Sequence, residues 1–425
     1  MSKDKNLYAI ALITSLFFLW GVALNLNPIL IPHLKKACEL TDLQSSLVDS
    51  ASYLAYFILP IPAALFMRKY GYKGGILLGL VLFACGAFLF YPAAAVRSYV
   101  FFLSALFVLF SGSAFLETAA NPYITVLGDP STATRRINFS QSFNGLAATL
   151  APLMGGLFIL SGKNLTGPQK AAMSATQLNN YLNKEASAVQ LPYLIIGLVV
   201  LTVAVLIFRK PLPEIIEEDT ETAEDKKRSL AGKIGALLRR RQLLTGVLAE
   251  FFYVGAQAGV LGFFIRFSER VAGLGEKSAA AYLTAAALGF MVGRFSGTYL
   301  MKFINPVKLL AGYSIINVLL LVLAVTLHAK FSVFALIGVA FFMSIMFPTI
   351  FSLSIRGLGT KTKLGSSLVI MGIVGGAVIP PIMGKVSDAS SIQYAYLVPI
   401  VCFLYIFYFA CRNLNVKKVE LVTAH

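Results

Sequence analysis

Glu117 lies within 101–126, a run of Phe, Leu, Val, Ala and Gly with no other charge. A run that long and apolar predicts a membrane-spanning helix. An acid at bilayer depth is tolerated only against protein or a water-filled cavity, where it marks a path for ions, protons or substrate. Helical residues three, four and seven apart share a face, so Ser113, Glu117 and Asn121 form one stripe ahead of Pro122. Glu250, Tyr253 and Gln257 stack likewise. Asn138, Gln141, Ser142 and Gly145 share a third face with Asn144 at its edge, and Asn25 lines up with Gly21. Amides both donate and accept hydrogen bonds, which suits a ligand rich in hydroxyls. The same residue types also join membrane helices to one another, so both uses stand for each amide. A dry carboxyl group is held neutral and ionises once water reaches it. That alternation suits a group carrying one proton per cycle.

The remaining polar residues are read more plainly. Glu250 is expected to reach an inner aqueous vestibule, and Asp49 to lie near the outer surface. His33, His328 and His425 are isolated at loops or the terminus without metal-ligand spacing, so neither a metal nor another cofactor is expected. Trp20, the single tryptophan, is mid-helix, where packing competes with stacking on a sugar face. No phosphate-binding GxxxxGK[ST] loop occurs, which excludes a nucleotide-driven pump. No catalytic cluster is visible, and the chain does not read as an enzyme. Asn164-Leu-Thr166 matches a glycosylation acceptor only weakly.

These residues must be carried by a membrane scaffold. Of 425 residues, 57% are hydrophobic and 13% charged, against about 25% charged in soluble domains. The net charge of +17 reads as orientation and attraction to anionic lipid head groups rather than nucleic-acid binding. Cys38, Cys85, Cys402 and Cys411 have neither even spacing nor a CxxC, which leaves no disulfide framework. Apolar runs predict twelve helices near 7–32, 45–67, 74–96, 98–127, 137–162, 190–208, 243–268, 277–301, 306–328, 331–355, 364–386 and 392–411. The first reads as an uncleaved helix rather than a signal peptide. The chain thus divides into an N-terminal six-helix bundle (1–208), a charged cytoplasmic linker (209–242) and a C-terminal six-helix bundle with its tail (243–425). With both termini inside, cytoplasmic segments hold more than twice as many Lys and Arg as outer ones, as the positive-inside rule favours.

The halves resemble each other. Asn121-Pro122-Tyr-Ile-Thr leads to Leu150-Ala-Pro152-Leu-Met-Gly155, as Phe347-Pro348-Thr-Ile-Phe leads to Ile379-Pro-Pro381-Ile-Met-Gly384. Short basic turns, 68–73 and 293–302, recur after the second and eighth helices. A six-helix repeat is a transporter signature, with the substrate site at midplane. Arg68, Lys69, Lys73 and Arg294 belong to these two basic segments.

Several motifs carry a family likeness: Phe17-Phe-Leu-Trp-Gly21, Leu116-Glu-Thr-Ala-Ala-Asn-Pro122, Phe252-Tyr-Val-Gly-Ala-Gln257, 342–352 and Leu364-Gly-Ser-Ser-Leu-Val-Ile-Met371. With them the chain resembles the fucose–galactose–glucose symporter family of the major facilitator superfamily, from about residue 15 to about 410. That likeness implies an all-α polytopic fold with two pseudo-symmetric bundles, a bacterial inner-membrane location, and import of a monosaccharide with a proton. L-fucose is the first choice. The likeness further implies that Glu117 is the proton-linked carboxylate and that Asn25 and Asn144 line the sugar cavity. Asn121, Gln141, Tyr253 and Gln257 join them as candidate sugar ligands, in a chain expected to be monomeric, and the likeness implies that Arg68, Lys69, Lys73 and Arg294 latch the inner gate. One departure stands out. The family motif Asn-Asp-Ile-Leu-Leu-Pro here reads Asn27-Pro28-Ile-Leu-Ile-Pro32, so the Asp is a proline that can neither carry a proton nor continue a helix easily. Three readings follow: a symporter relying on Glu117, a facilitator, or a carrier of glucose, galactose or N-acetylglucosamine. A multidrug exporter of the same fold and a membrane sugar sensor are remoter alternatives.

Overall fold

The computed structural model describes residues 3–40, 42–159, 169, 172–209, 212–213, 229–327 and 330–414. The weak glycosylation match, His328, His425 and half of the charged linker lie outside these residues. So do the side chains of Asn27, Pro28, Asp49 and Pro152.

The described chain is helical throughout. In order the helices are α1 (Lys3–Ala37), α2 (Asp42–Ile58), α3 (Pro60–Ala95), α4 (Tyr99–Val126), α5 (Ala133–Phe158), α6 (Ala175–Ser187), α7 (Gln190–Arg209), α8 (Leu230–Leu238) and α9 (Arg241–Gly262). They continue as α10 (Phe264–Ala272), α11 (Glu276–Leu300), α12 (Pro306–Thr326), α13 (Lys330–Met343), α14 (Met346–Ile355), α15 (Thr362–Met371), α16 (Gly375–Ala389), α17 (Ile392–Ala395) and α18 (Leu397–Leu414). Among the described residues, ten helical segments are long and apolar enough to cross a membrane. The layout is that of a twelve-helix membrane protein, with each apolar run of the sequence ending in one or two helices.

Local chemistry sets where the helices start and stop. Ser98 caps α4 by accepting from the Phe101 amide, and Asn305 caps α12 just before Pro306. Proline suits the first helical turn because its missing amide would be unpaired there anyway. The basic turn 68–73 is broken at Gly71, whose φ of 71° and ψ of 176° divide α3 into two rods. An L side chain at that angle would be strained. The second basic segment behaves differently. Residues 293–300 stay helical in α11, and the turn is confined to 301–305. Gly293 there is used for packing, since a Cβ on it would strike the Phe341 carbonyl and the Ser344 hydroxyl. Position 28 also departs from the expected break: α1 runs helical through it.

The chain packs as two compact units. Unit 1 comprises Met1–Pro130, Ser140–Thr220 and Gly359–Met371; unit 2 comprises Ser131–Phe139, Glu221–Leu358 and Gly372–His425. Each has its own packing seams. In unit 1, α3 and α4 approach so closely that a Cβ on Gly112 would overlap the backbone at Phe83 and Gly79. Phe90 and Tyr193 stack at 3.7 Å between α3 and α7. The start of the inter-bundle segment is tied down here, because the Tyr123 hydroxyl donates to the Pro213 carbonyl at 2.9 Å. Lys363 of α15 sits 4.9 Å over the Tyr72 ring, which in turn lies 5.7 Å from Tyr123. In unit 2, a Cβ on Gly375 would overlap the Phe251 carbonyl, which fixes α16 against α9.

Candidate functional site

In unit 1 the stripe read from α4 lies on the protein side. Ser113 and Asn121 are fully buried and Glu117 is 5% exposed. Glu117 is nine residues from the end of α4, about 14 Å along the axis at 1.5 Å per residue. Its Oε1 accepts from the Tyr56 hydroxyl of α2 at 2.9 Å. Ser113, one turn earlier, lies against the same hydroxyl. The acid therefore faces a polar pocket of α2 and α4 rather than lipid. Nothing in the sequence flagged Tyr56, because helical periodicity does not say which helix packs on which.

One turn further along α4, Asn121 Oδ1 accepts from Gln141 Nε2 of α5 at 3.3 Å, while the Asn121 amide nitrogen has no partner. A buried amide left half-satisfied is costly, which makes Asn121 Nδ2 a donor suited to a ligand oxygen. On α1, Asn25 Nδ2 donates to the Gly21 carbonyl at 2.7 Å. A Cβ on Gly21 would come within 3.0 Å of Asn144 Nδ2 and 2.9 Å of the Ala147 Cβ. Asn25 and Asn144 are thus brought together at an α1–α5 seam and are both half-buried. Thr14 and Ser140 close the same seam with a 2.8 Å hydroxyl pair. Trp20 is buried against Phe17 at 4.3 Å, with an indole nitrogen that finds no acceptor. Glu117, Asn121, Gln141, Asn25 and Asn144 all belong to one unit, carried on α1, α4 and α5.

Unit 2 holds the other candidates. Tyr253 is buried 6.3 Å from the Phe347 ring, and Gln257 is half-buried one turn on. Glu250 is fully buried rather than opening into an aqueous vestibule as expected. Gly372 lets another stretch of backbone lie against it, since a Cβ there would be 3.1 Å from the Glu250 Cβ.

Arg294, expected at a helix end, is instead buried inside α11. Its Nε donates to the Ser344 carbonyl at 2.9 Å, and its guanidinium lies 4.7 Å over Phe290. The reason is Pro348. That proline has no N–H to bond the carbonyl four residues back, and the carbonyl in question is that of Ser344. Arg294 supplies the missing donor where α13 passes into α14. Of the other gate candidates, Arg68 and Lys69 are exposed, while Lys73 Nζ donates to the Phe208 carbonyl at 3.1 Å.

Polar contacts around α14 have no counterpart among the sequence expectations. Thr134 bonds Ser352 at 2.8 Å, and Asn138 Nδ2 donates to Thr349 Oγ1 at 3.1 Å. Asn138 is expected to act with Gln141 from one face of α5, but it falls in unit 2 and its amide is engaged. Helical spacing puts the two on one face; the change of neighbours along α5 separates them.

His33 is the other displacement. It is buried on the last turns of α1 beside Glu185 of α6, not isolated in a loop. Among the described residues no group of His, Cys, Asp and Glu could hold a metal ion.

Tyr56→Phe removes a donor to Glu117 without changing the shape of the pocket. A hydrogen bond of this kind contributes about 0.5–1.5 kcal/mol net. The variant is expected to fold normally and to lose up to about tenfold in proton-driven uptake, measured in right-side-out vesicles.

Buried carboxylate, paired amides and broken, glycine-seamed helices define a polytopic membrane transporter. The chain belongs to the Major Facilitator Superfamily, whose model matches residues 10–372. Within it, the chain is 43% identical over 403 residues to the L-fucose-proton symporter of Escherichia coli (strain K12), covering 94% of this chain and 92% of that one. It is 41% identical over 411 residues to a glucose/galactose transporter of Brucella abortus, covering 96% and 95%. A crystal structure of FucP, a major facilitator transporter in the outward conformation, superposes with a TM-score of 0.89 at 42% identity, covering 96% of this chain and 99% of that one.

Proposed function

We propose that this protein imports a monosaccharide together with a proton by alternating access, with L-fucose the first substrate to test. The observation that carries the reading is Glu117: an acid at membrane depth, 5% exposed, held by Tyr56 on the protein side of α4. Its relatives include an L-fucose-proton symporter and glucose/galactose transporters. In this reading Glu117 takes the driving proton and yields it on the other side. Asn25, Asn121, Gln141 and Asn144 hold sugar hydroxyls from the first bundle, and Tyr253 and Gln257 from the second. Arg68, Lys69 and Lys73 act at the inner gate, while Arg294 braces the α13–α14 break that moves with it.

The arrangement proposed is two bundles, 1–208 and 243–425, joined by the charged segment 209–242. The protein works as a monomer in the bacterial inner membrane, with both termini in the cytoplasm. A second reading, uncoupled facilitation, is favoured by one observation: Pro28 stands where the family motif has an acid.

One experiment separates the readings. In lightly buffered de-energised cells expressing the protein, L-fucose is expected to raise external pH as protons enter with it, with galactose and glucose giving smaller signals. Sugar uptake without a pH change would establish facilitation. No uptake of any of the three sugars, or of N-acetylglucosamine, would remove the sugar assignment.

A further inference from the structure

At the end of α1 remote from Lys3, three ionisable side chains are folded together although water is close by. His33 is 2% exposed and Glu185 of α6 is 4% exposed. Lys36, one turn beyond His33, places Nζ 3.1 Å from Glu185 Oε1, and His33 Nδ1 is 4.0 Å from Oε2. Lys36 also sits 5.2 Å over the Tyr181 ring of α6. Nε2 of His33 is buried and has no hydrogen-bond partner. α6 is a short polar helix, fixed at its start by a reciprocal capping box between Ser174 and Gln177. It touches the rest of unit 1 through buried Leu182 and Ala186, through Glu185, and through Arg97, which donates to Asn183 at 3.3 Å.

We propose that His33 is a proton-binding site which releases α6 from α1 when the surrounding solution turns acidic. As docked, the Lys36–Glu185 pair needs no further positive charge. The imidazole fills the space beside it with one ring nitrogen facing no acceptor. Protonation puts an N–H on that nitrogen and a cation beside Lys36, and burial denies it water. Attraction to Glu185 works the other way. Lys35 in the same last turn of α1, Lys184 on α6 and Arg97 are the other charges on the packed elements, and Arg97 is turned to Asn183.

The balance falls against the charged form. Burial is the largest influence and holds the His33 imidazole below its usual 6.5, with Glu185 opposing and Lys36 adding to the effect. The sign follows. A base depressed in the docked state favours docking when neutral, so docking holds above about pH 6.5 and weakens as pH falls through the docked value.

This inference stands apart from sugar transport and is tested without it. Hydrogen–deuterium exchange of 175–187 is measured on the purified full chain in detergent at pH 7.5, 6.0 and 5.0, corrected for the intrinsic effect of pH on exchange. Protection is expected to fall as the pH drops across that range, because the neutral imidazole favours the docked state. His33→Gln should show a flat profile, and His33→Asn serves in its place should the first variant fail to fold. Lys36→Met removes one repulsion and should shrink the fall. A flat wild-type profile, or a His33 variant that keeps the fall through Glu185 or another group, would overturn the proposal.

Discussion

Glu117→Gln is expected to abolish proton-driven accumulation of sugar while leaving exchange measurable. Glutamine keeps the shape of the side chain and can still accept from Tyr56, so the polar pocket of α2 and α4 survives. What disappears is the ability to gain and lose a proton as water reaches the site from either side. Uptake against a gradient should therefore drop to equilibration, while counterflow of labelled sugar in sugar-loaded vesicles persists. Loss of counterflow as well, with binding intact by calorimetry, would make Glu117 a gating residue instead. Paired with Tyr56→Phe, the measurement separates charge from position.

Gly112→Val is expected to have the largest effect on folding. The α3–α4 seam has no room at this position, because the added Cβ would overlap the Phe83 backbone and the Gly79 carbonyl. Backbone on the opposing helix cannot rotate away as a side chain can. Overpacking typically costs about 1–3 kcal/mol, and in a seam without lateral slack the upper end is expected. Glu117 lies five residues further along the same helix, so the damage extends to the site. Monodisperse yield from detergent extracts should collapse, whereas Gly235→Ala, where nothing lies within 4 Å, should extract as well as wild type. Normal yield and Tm for Gly112→Val would mean that the two helices separate more easily than their packing implies.

Particular residues mark how far the sequence could be read. Glu117 and its stripe were legible because one charge in an apolar run has few places to go, and 3.6-residue periodicity names its neighbours. The break at Gly71 was legible too, since a glycine among basic residues ends a membrane span. Tyr56 was not, because a tyrosine in a membrane helix declares its partner only after the helices are assembled. The role of Arg294 was hidden for the same reason. Pro348 announced a missing hydrogen bond, but its replacement comes from a residue 54 positions earlier, and no local pattern joins them. The glycines of 293–297 misled in the opposite direction: read as a turn, they serve to bring helices close. Apolar runs likewise conceal the interruptions at Phe263 and at 344–345, because a helix can pause without becoming polar.

α1 is a single rod of 35 residues, about 50 Å from tip to tip at the usual rise. Gly21 and Asn25 lie along its middle, and the His33 clasp grips one extremity. Pro28 and Pro32 lie between those residues and the clasp and each lacks a backbone donor, so spin labels near the two tips should report how much of a swing passes along the helix. Any treatment that loosens the clasped tip then alters the mechanical compliance felt at the amides midway along it, without touching a single atom there.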